Sequence, residues 1–275
     1  MNPASPSSDD FLVEPRTLLA ECAGERPPIL IDARTPQAYA SGHLPGARHL
    51  TTYGLFVRDT TPEGMAEFVR EAAARYGAIG VTREQPVVVY EDATGMRAAR
   101  ELWILELLGH TSARMLHGGQ RDWIAAGGAI DADPVRAEPA NFVASVCGAL
   151  TISADEIHAQ RGRAGRTLVD VRDADEYAGR DHTECCTRRG HLPGAVWIEW
   201  TDALENGRYR APQALREHLR ARGVAETDEI VPYCHRGARS ASFYYALRRA
   251  GFGRIRNYIG SFHEWSARAE FPIES

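Results

Sequence analysis

The chain of 275 residues repeats its own sequence, and this duplication limits the folds it can adopt more than any other feature. The hexapeptide GHLPGA occurs at residues 42 to 47 and again at residues 190 to 195. ILIDAR at 29 to 34 matches TLVDVR at 167 to 172, and each is followed by a short segment that ends in tyrosine. Motifs repeated in the same order indicate two copies of one structural unit.

Two further pairs of motifs extend the repeat toward the end of each copy. VVVYEDATGMRAAR at 87 to 100 matches IVPYCHRGARSAS at 230 to 242, and GGQRDW at 118 to 123 matches GSFHEW at 260 to 265. The number of residues between the two occurrences of a motif is smallest for D-x-R and largest for GHLPGA. An insertion, GRDHTECCTR, therefore precedes the second GHLPGA. We therefore predict a first domain at 12–130, a linker at 131–150 and a second domain at 151–275.

Short apolar runs rich in β-branched residues alternate with longer helical patterns in both copies. In the first copy we predict strands at 28–32, 86–90 and 112–116, and helices at 63–76, 95–108 and 119–126. In the second copy we predict strands at 167–171, 229–233 and 254–258, and helices at 213–222, 239–250 and 261–268. This alternation predicts two tandem α/β domains, each with a mostly parallel sheet flanked by helices.

Composition excludes several classes of function. A net charge of -5 argues against nucleic acid or an acidic membrane as a bulk partner. No run of about 18 apolar residues is present, and the N-terminal MNPASPSSDDF lacks the features of a secretory signal. The five cysteines are irregularly spaced, which is not typical of a disulfide framework. We expect a soluble cytoplasmic protein with at least one free thiol.

The segment YCHRGARSAS places Cys234 between a predicted strand and a predicted helix. Thiolates are stabilised at helix N-termini and beside cations, and Arg236 and Arg239 follow closely. Gly237 lets the backbone curl so that successive N–H groups point inward. Ligands of parallel α/β sheets bind beyond the carboxyl ends of the strands, where this loop lies. The sequence therefore predicts that Cys234 is a nucleophile in an anion-binding loop.

Together these motifs resemble the rhodanese family, specifically its tandem two-domain sulfurtransferases, from about residue 12 to residue 270. The resemblance implies that Cys234 takes the outer sulfur of thiosulfate and becomes a persulfide. The acceptor would be cyanide or a thiol, and a thioredoxin-like protein is one candidate; neither cofactor nor metal is implied. The persulfide and the donor would be bound by the loop residues His235, Arg236, Gly237, Ala238, Arg239 and Ser240.

The first copy serves as an internal control for this assignment. It carries Glu91 where the second copy has Cys234, so it has no nucleophile and would repel an anionic donor. Features present in both copies more simply fix the fold, and these are Asp32 with Arg34, Asp170 with Arg172, and His43 and His191. Arg172 nevertheless ends the strand beside the expected site, so we retain it as a candidate donor contact.

The insertion supplies further candidates. Some relatives carry a donor-binding arginine where this chain has Glu176, and Arg180, Arg188 or Arg189 could replace it; we choose Arg188. The vicinal pair Cys185 and Cys186 could resolve the persulfide or sense oxidants, although such pairs are more often ordinary loop residues. With His182 they suggest a metal, but no second pair completes a four-ligand zinc set, so the sequence predicts no metal site.

Three alternative functions remain open from the sequence. Mercaptopyruvate sulfurtransferases of the same family typically have a less charged loop, which makes 3-mercaptopyruvate the second choice of donor. A phosphatase or arsenate reductase would also use a Cys-loop-Arg cradle, but four residues separate Cys234 from Arg239, fewer than in those phosphatases. The third alternative is a sulfur carrier or redox sensor, which the vicinal cysteines suggest.

Overall fold

A five-stranded parallel sheet forms the centre of the first copy in the computed structural model, which describes residues 9–181, 184–186 and 188–275. The order across the sheet is β1-β5-β4-β2-β3, and all four neighbouring pairs are parallel. The strands are β1 (Leu12–Val13), β2 (Ile29–Asp32), β3 (Arg48–His49), β4 (Val87–Tyr90) and β5 (Ala113–Leu116). Val87, Val88, Val89 and Tyr90 are all buried, as expected for a strand covered on both faces.

Five helices cover this sheet: α1 (Pro15–Cys22), α2 (Pro36–Ala40), α3 (Pro62–Ala78), α4 (Met96–Leu107) and α5 (Gly119–Ala125). Three of them begin with proline, which suits the first helical turn because its missing N–H would be unpaired there. The Thr61 hydroxyl also accepts the Gly64 N–H at 3.1 Å at the start of α3. The predicted long helices and strands of this copy are thus present, with ends that shift by up to two residues.

The second copy has a smaller regular sheet of the same type. Its strands are β6 (Arg166–Asp170), β7 (Val196–Trp197), β8 (Leu204–Glu205), β9 (Arg208–Tyr209) and β10 (Glu229–Tyr233). β6 lies between β10 and β7 in a parallel sheet, whereas β8 and β9 form a separate antiparallel pair that the sequence did not predict. The strand predicted at 254–258 is reduced to two isolated bridges, Ile230 with Ile255 and Thr151 with Asn257.

The helices of the second copy are α6 (Ala154–Ala159), α7 (Ala174–Tyr177), α8 (Pro212–Ala221), α9 (Ala238–Arg249) and α10 (Ser261–Ala267). The last three agree with the predicted helices to within one residue at their ends. Short 3-10 turns lie at Gly148–Leu150 and Trp200–Ala203. In the described part of the chain, no helix is both long enough and apolar enough to cross a bilayer.

The duplicated motifs form nearly identical arrangements in the two copies. The Arg34 guanidinium donates to Asp32 at 2.6 Å and to the Gly42 carbonyl at 2.7 Å. Arg172 repeats both distances with Asp170 and Gly190. All four charged side chains are buried. These pairs therefore tie the end of a strand to the GHLPGA turn in each copy, as the sequence predicted.

GHLPGA is held by its histidine and by the tyrosine upstream of it. His43 Nδ1 lies 3.0 Å from the Tyr39 carbonyl, and His191 Nδ1 lies 2.9 Å from that of Tyr177. Each histidine ring also stacks on the ring of the same tyrosine, at centroid distances of 3.9 and 3.8 Å. Both histidines therefore hold the turn through Nδ1 and ring stacking, although the buried Nε2 of His43 has no hydrogen-bond partner among the described residues.

The two copies contact each other mainly through α4 and α9. Arg248 on α9 pairs with Glu106 on α4 at 2.8 Å. Near the end of the chain, the Glu264 carboxylate accepts the Thr60 backbone N–H at 2.6 Å. The segment between the copies runs along the first one, where the Cys147 N–H donates to the Leu107 carbonyl at 2.8 Å. This interface places the start of α4 beside the start of α9.

Candidate active site

Cys234 follows directly after β10 and lies four residues before the first turn of α9. The turn between them depends on Gly237, whose φ of 85° lies in the left-handed region. A Cβ at Gly237 would lie 2.8 Å from the Ile259 side chain, so a larger residue would clash as well as strain the backbone. Glycine at this position therefore brings the backbone of the loop close to the sulfur.

The environment of the Cys234 sulfur favours its thiolate. The side chain is buried, and the Gly237 N–H donates to Sγ at 3.1 Å. Burial acts to raise the pKa of the Cys234 thiol, but the charge of Arg239 and hydrogen bonds from the Ser240 and Arg236 N–H groups outweigh it. The pKa is therefore lowered from its ordinary value, as expected for a cysteine at a helix N-terminus.

Ser261 supports the loop from behind and was missed by the sequence analysis. Its hydroxyl accepts the Cys234 N–H at 3.2 Å and donates to the Tyr258 carbonyl at 2.9 Å. Ser261 has a φ of 55°, and the matching residue of the first copy is Gly119 with a φ of 65°. The change from GG to GS between the two repeats was the available signal: a strained serine replaces a glycine where its hydroxyl orients the cysteine.

Arg239 is held beside the loop by a counter-ion. Its guanidinium donates to both carboxylate oxygens of Glu176, at 2.6 and 3.1 Å, and lies 3.3 Å from Asp173. Burial acts to raise the pKa of Glu176, but Arg239 outweighs it and the pKa is lowered. Glu176 is thus the residue that positions Arg239.

Arg236 is the more available cation of the loop. Its guanidinium lies 4.1 Å from the centre of the Phe56 ring, and no carboxylate among the described residues pairs with it. Arg100 on α4 of the first copy is fully buried and donates to the Arg236 carbonyl at 2.8 Å and to the Leu55 carbonyl. The sequence analysis did not select Arg100, because its proximity to Cys234 arises only from the contact between the copies.

These side chains surround a cleft of about 480 Å³ at the contact between the two copies. Three lining residues, Tyr53, Met96 and Arg100, come from the first copy. The second copy contributes Asp173, Trp200, Cys234, His235, Arg236, Ala238 and Arg239. Of the predicted loop residues, Gly237 and Ser240 lie behind this lining and are buried. The first copy therefore forms one wall of the site although it has no cysteine in its own loop.

In the matching loop of the first copy, the backbone N–H groups bind a carboxylate of the loop itself, that of Glu91. The Glu91 carboxylate accepts the N–H groups of Arg97 at 2.8 Å and Ala98 at 2.9 Å. Burial raises the pKa of Glu91 to about 7. Glu91 therefore caps α4 and is not among the residues that line the cleft, which differs from the expected role of repelling a donor.

The structure places two predicted donor contacts elsewhere. Arg172 uses its guanidinium on Asp170 and the Gly190 carbonyl, so the alternative structural role is the one observed. Arg188 donates to four backbone carbonyls at and after the end of α10, those of Trp265, Ser266, Arg268 and Phe271. Neither arginine is among the residues that line the cleft. The first copy has no counterpart of the insertion, so alignment could not guide the choice among its arginines.

His235 links the loop to the insertion. Its Nε2 lies 3.1 Å from the Cys185 sulfur, and one ligand atom from each of Cys185, Cys186, His235 and His263 lies within 4.8 Å of the others. Burial and the charge of Arg236 lower the pKa of His235 to about 4, so the ring is neutral near neutral pH. The sequence argument against a metal assumed that no second ligand pair existed; His182, the third residue considered, lies outside the described residues.

Fold and site together define a class: a duplicated α/β protein in which one copy presents a loop cysteine, stabilised as thiolate, at a helix N-terminus. The sequence model of the rhodanese-like domain matches residues 15–126 and 153–268. The chain belongs to the rhodanese family.

Relatives of similar length support this assignment. A thiosulfate sulfurtransferase from Corynebacterium glutamicum is 34% identical, over 86% of this chain and 81% of the relative. A probable 3-mercaptopyruvate sulfurtransferase from Pseudomonas aeruginosa is 32% identical, over 95% and 93%. The solved structure of an anaerobic ergothioneine biosynthesis enzyme from Chlorobium limicola shares the fold with a TM-score of 0.85, at 23% identity over 97% of this chain and 70% of that chain.

Proposed function

We propose that this protein is a thiosulfate sulfurtransferase in which Cys234 carries the transferred sulfur. The observation that carries the proposal is the buried Cys234 sulfur, which accepts the Gly237 N–H at 3.1 Å and has a lowered pKa. A thiolate held in this way is a strong nucleophile without a separate base. The residues at 151–275 form the catalytic domain, and those at 12–130 form a non-catalytic domain joined by the linker at 131–150.

The first half of the reaction is a displacement at sulfur. The Cys234 thiolate attacks the outer sulfur of thiosulfate, the bond between the two thiosulfate sulfurs breaks, and its electron pair leaves with sulfite. Arg236, with no carboxylate partner in the described ranges, supplies the positive charge that attracts the dianion. Arg239 also faces the cleft, but Glu176 balances most of its charge.

The persulfide formed on Cys234 is itself an anion. It extends from Sγ into a turn whose N–H groups begin α9, so the helix N-terminus and the backbone stabilise it. In the second half-reaction, cyanide or a thiolate attacks the outer sulfur and the original Cys234 thiolate leaves. A thioredoxin-like protein is the protein acceptor we propose, and five free cysteines suit a reducing compartment such as the cytoplasm.

3-Mercaptopyruvate is the second candidate donor, which one relative's name supports. The pairing of Arg239 with Glu176 also favours it, since a donor with one carboxylate needs less positive charge than a dianion. Thiosulfate remains first because Arg100 and Arg236 add further cations to the cleft. The two donors differ in charge, so their dependence on Arg236 distinguishes them.

Steady-state kinetics test the proposal. Thiocyanate formation from thiosulfate and cyanide is measured in wild type and in Cys234→Ser, with Cys147→Ser as a control at an exposed cysteine of the linker. We expect parallel double-reciprocal plots, which indicate a covalent intermediate, and loss of turnover only in Cys234→Ser. Turnover in Cys234→Ser would refute the role of Cys234, and a larger kcat/KM with 3-mercaptopyruvate would reverse the order of the donors.

A further inference from the structure

Four side chains able to bind a soft metal converge on the outer side of the Cys234 loop. Cys185 and Cys186 come from the insertion, His235 from the loop and His263 from α10. Their ligand atoms lie within 4.8 Å of one another, and Cys185 Sγ lies 3.1 Å from His235 Nε2. Residues from three separate segments of the chain therefore meet at one point.

The chemistry and spacing of this set fit zinc. Two thiolates and two imidazoles form one of the usual types of closed tetrahedral Zn²⁺ site, with metal bonds of about 2.0 to 2.3 Å. Those bonds require ligand atoms about 3.3 to 3.8 Å apart. The wider separations in the cluster must therefore shorten, and the 3.1 Å contact between Cys185 Sγ and His235 Nε2 must lengthen slightly, to complete the site. The two histidine rings are perpendicular, at 89°, and their centroids are 6.0 Å apart, so one ion can lie between them.

One ring nitrogen of a histidine in this cluster lacks a hydrogen-bond partner among the described residues. His263 Nδ1 is buried and accepts or donates no hydrogen bond among the described residues. A buried ring nitrogen without a partner is costly, and a bound metal or a hydrogen bond removes that cost. The neighbouring Phe56 ring lies edge-on to the His263 ring at 5.2 Å and offers no such partner.

The duplicated sequence gives independent support. The first copy has Asp92 in place of His235 and Arg121 in place of His263, and it lacks the insertion that carries the two cysteines. Features common to both copies serve the fold, whereas Cys234 occurs only in the second copy. Like Cys234, all four members of the cluster occur only in the second copy. We therefore associate them with the nucleophile and not with the fold that the two copies share.

We propose that Cys185, Cys186, His235 and His263 bind one Zn²⁺ per chain and that the metal fastens the insertion to the Cys234 loop. Binding displaces one proton from each cysteine, so the affinity for Zn²⁺ rises with pH. Cys234 is not a ligand of this site, although the neighbouring residue His235 is. The metal therefore fixes the first residue after the nucleophile without occupying the nucleophile itself.

Titration of the reduced, metal-free protein with Co²⁺ tests this proposal, followed by displacement with Zn²⁺ in the presence of a colorimetric chelator. We expect one Co²⁺ per chain, with the visible bands of tetrahedral cobalt and near-ultraviolet thiolate-to-metal absorption. Cys185→Ser/Cys186→Ser loses the thiolate absorption, and its affinity falls by more than the ~100-fold that loss of an outer-shell partner costs. Cys234→Ser and the matched double variant Cys22→Ser/Cys147→Ser keep both.

The controls separate this site from others. Far-ultraviolet circular dichroism establishes that each variant is folded, and His263→Gln tests the same site if the double cysteine variant is not. Absence of metal binding in the reduced wild type overturns the proposal. Binding that persists in Cys185→Ser/Cys186→Ser, or that disappears in Cys234→Ser, also overturns it, because the ligands would then be other residues. Since no sulfur transfer is measured, none of these results depends on the proposed enzymatic function.

Discussion

Arg239 and Glu176 allow the electrostatic part of the site to be separated from its stability. Their two hydrogen bonds, 2.6 and 3.1 Å long, join side chains that are only 16% and 11% exposed. Arg239→Gln leaves the Glu176 carboxylate buried without its partner, and loss of one member of a buried pair costs about 3 to 5 kcal/mol. Glu176→Gln/Arg239→Gln replaces the pair by two neutral amides and recovers most of that stability.

We expect Glu176→Gln/Arg239→Gln to regain stability but not the reactivity of the Cys234 thiol. Burial acts to raise the pKa of the Cys234 thiol and Arg239 is the first influence that opposes it, so both variants that lack Arg239 raise this pKa. For each rise of one in the pKa, the thiolate fraction near neutral pH falls by about tenfold. Glu176→Gln keeps the cation and is the matched control, with a Cys234 pKa at or below that of wild type.

The assay is the rate of iodoacetamide alkylation of Cys234 against pH, followed by intact-protein mass, with urea unfolding of the same variants. In wild type the folded pKa lies below the unfolded value of about 8.5. The thiolate therefore contributes stability that is fully present above that pH and is lost as pH falls through the folded pKa. In the double variant the folded pKa of Cys234 is higher than in wild type, so the thiolate contributes less of this pH-dependent stability. The same alkylation midpoint in wild type and double variant would refute the assigned role of Arg239.

Three further changes test the site. Arg188→Met removes the donor to four carbonyls at and after the end of α10 and should lower the free energy of unfolding by about 2 to 3 kcal/mol. KM for thiosulfate should stay unchanged; a higher KM would show that Arg188 contacts the donor. Arg236→Gln removes a cleft cation that has no carboxylate partner in the described ranges and should raise KM about tenfold, about 1.4 kcal/mol of binding. Tm should fall only slightly, because the contact with the Phe56 ring is lost; an unchanged KM would show that Arg236 does not bind the donor. Ser261→Gly removes the strain of a left-handed serine, a gain of about 1 to 2 kcal/mol, but loses hydrogen bonds that contribute a similar free energy. The free energy of unfolding in urea should therefore change little while kcat falls; an unchanged kcat would make Ser261 purely structural.

Local pattern was sufficient to predict much of the fold. The apolar run that became β4 is buried along its whole length, and that of β10 is buried after Glu229. Helices such as α8 bury one apolar face, so periodicity identified both types. The pair β8 and β9 was missed because each strand has two residues, too few to show an alternating pattern. The strand predicted at 254–258 keeps only single bridges to its neighbours.

The candidate site, like the fold, has parts that could be predicted from the sequence and parts that could not. Cys234 and its loop were predictable because one short segment contains the thiol, the glycine and both arginines. Arg100 was not predictable, since it approaches the loop across the contact between α4 and α9, about 130 residues away in the chain. The partners of Arg239 and of the insertion cysteines likewise depend on tertiary packing, which no local spacing reports.

The most direct test of a persulfide on Cys234 is the intact mass of the protein after incubation with thiosulfate. Wild type should gain the mass of one sulfur atom and lose it again when cyanide is added, whereas Cys234→Ser should gain nothing. Digestion should place the added sulfur in the peptide that contains Cys234 and not in the one that contains Cys185 and Cys186. An added sulfur that persists in Cys234→Ser, or that lies on the insertion cysteines of wild type before any appears on Cys234, would contradict the account.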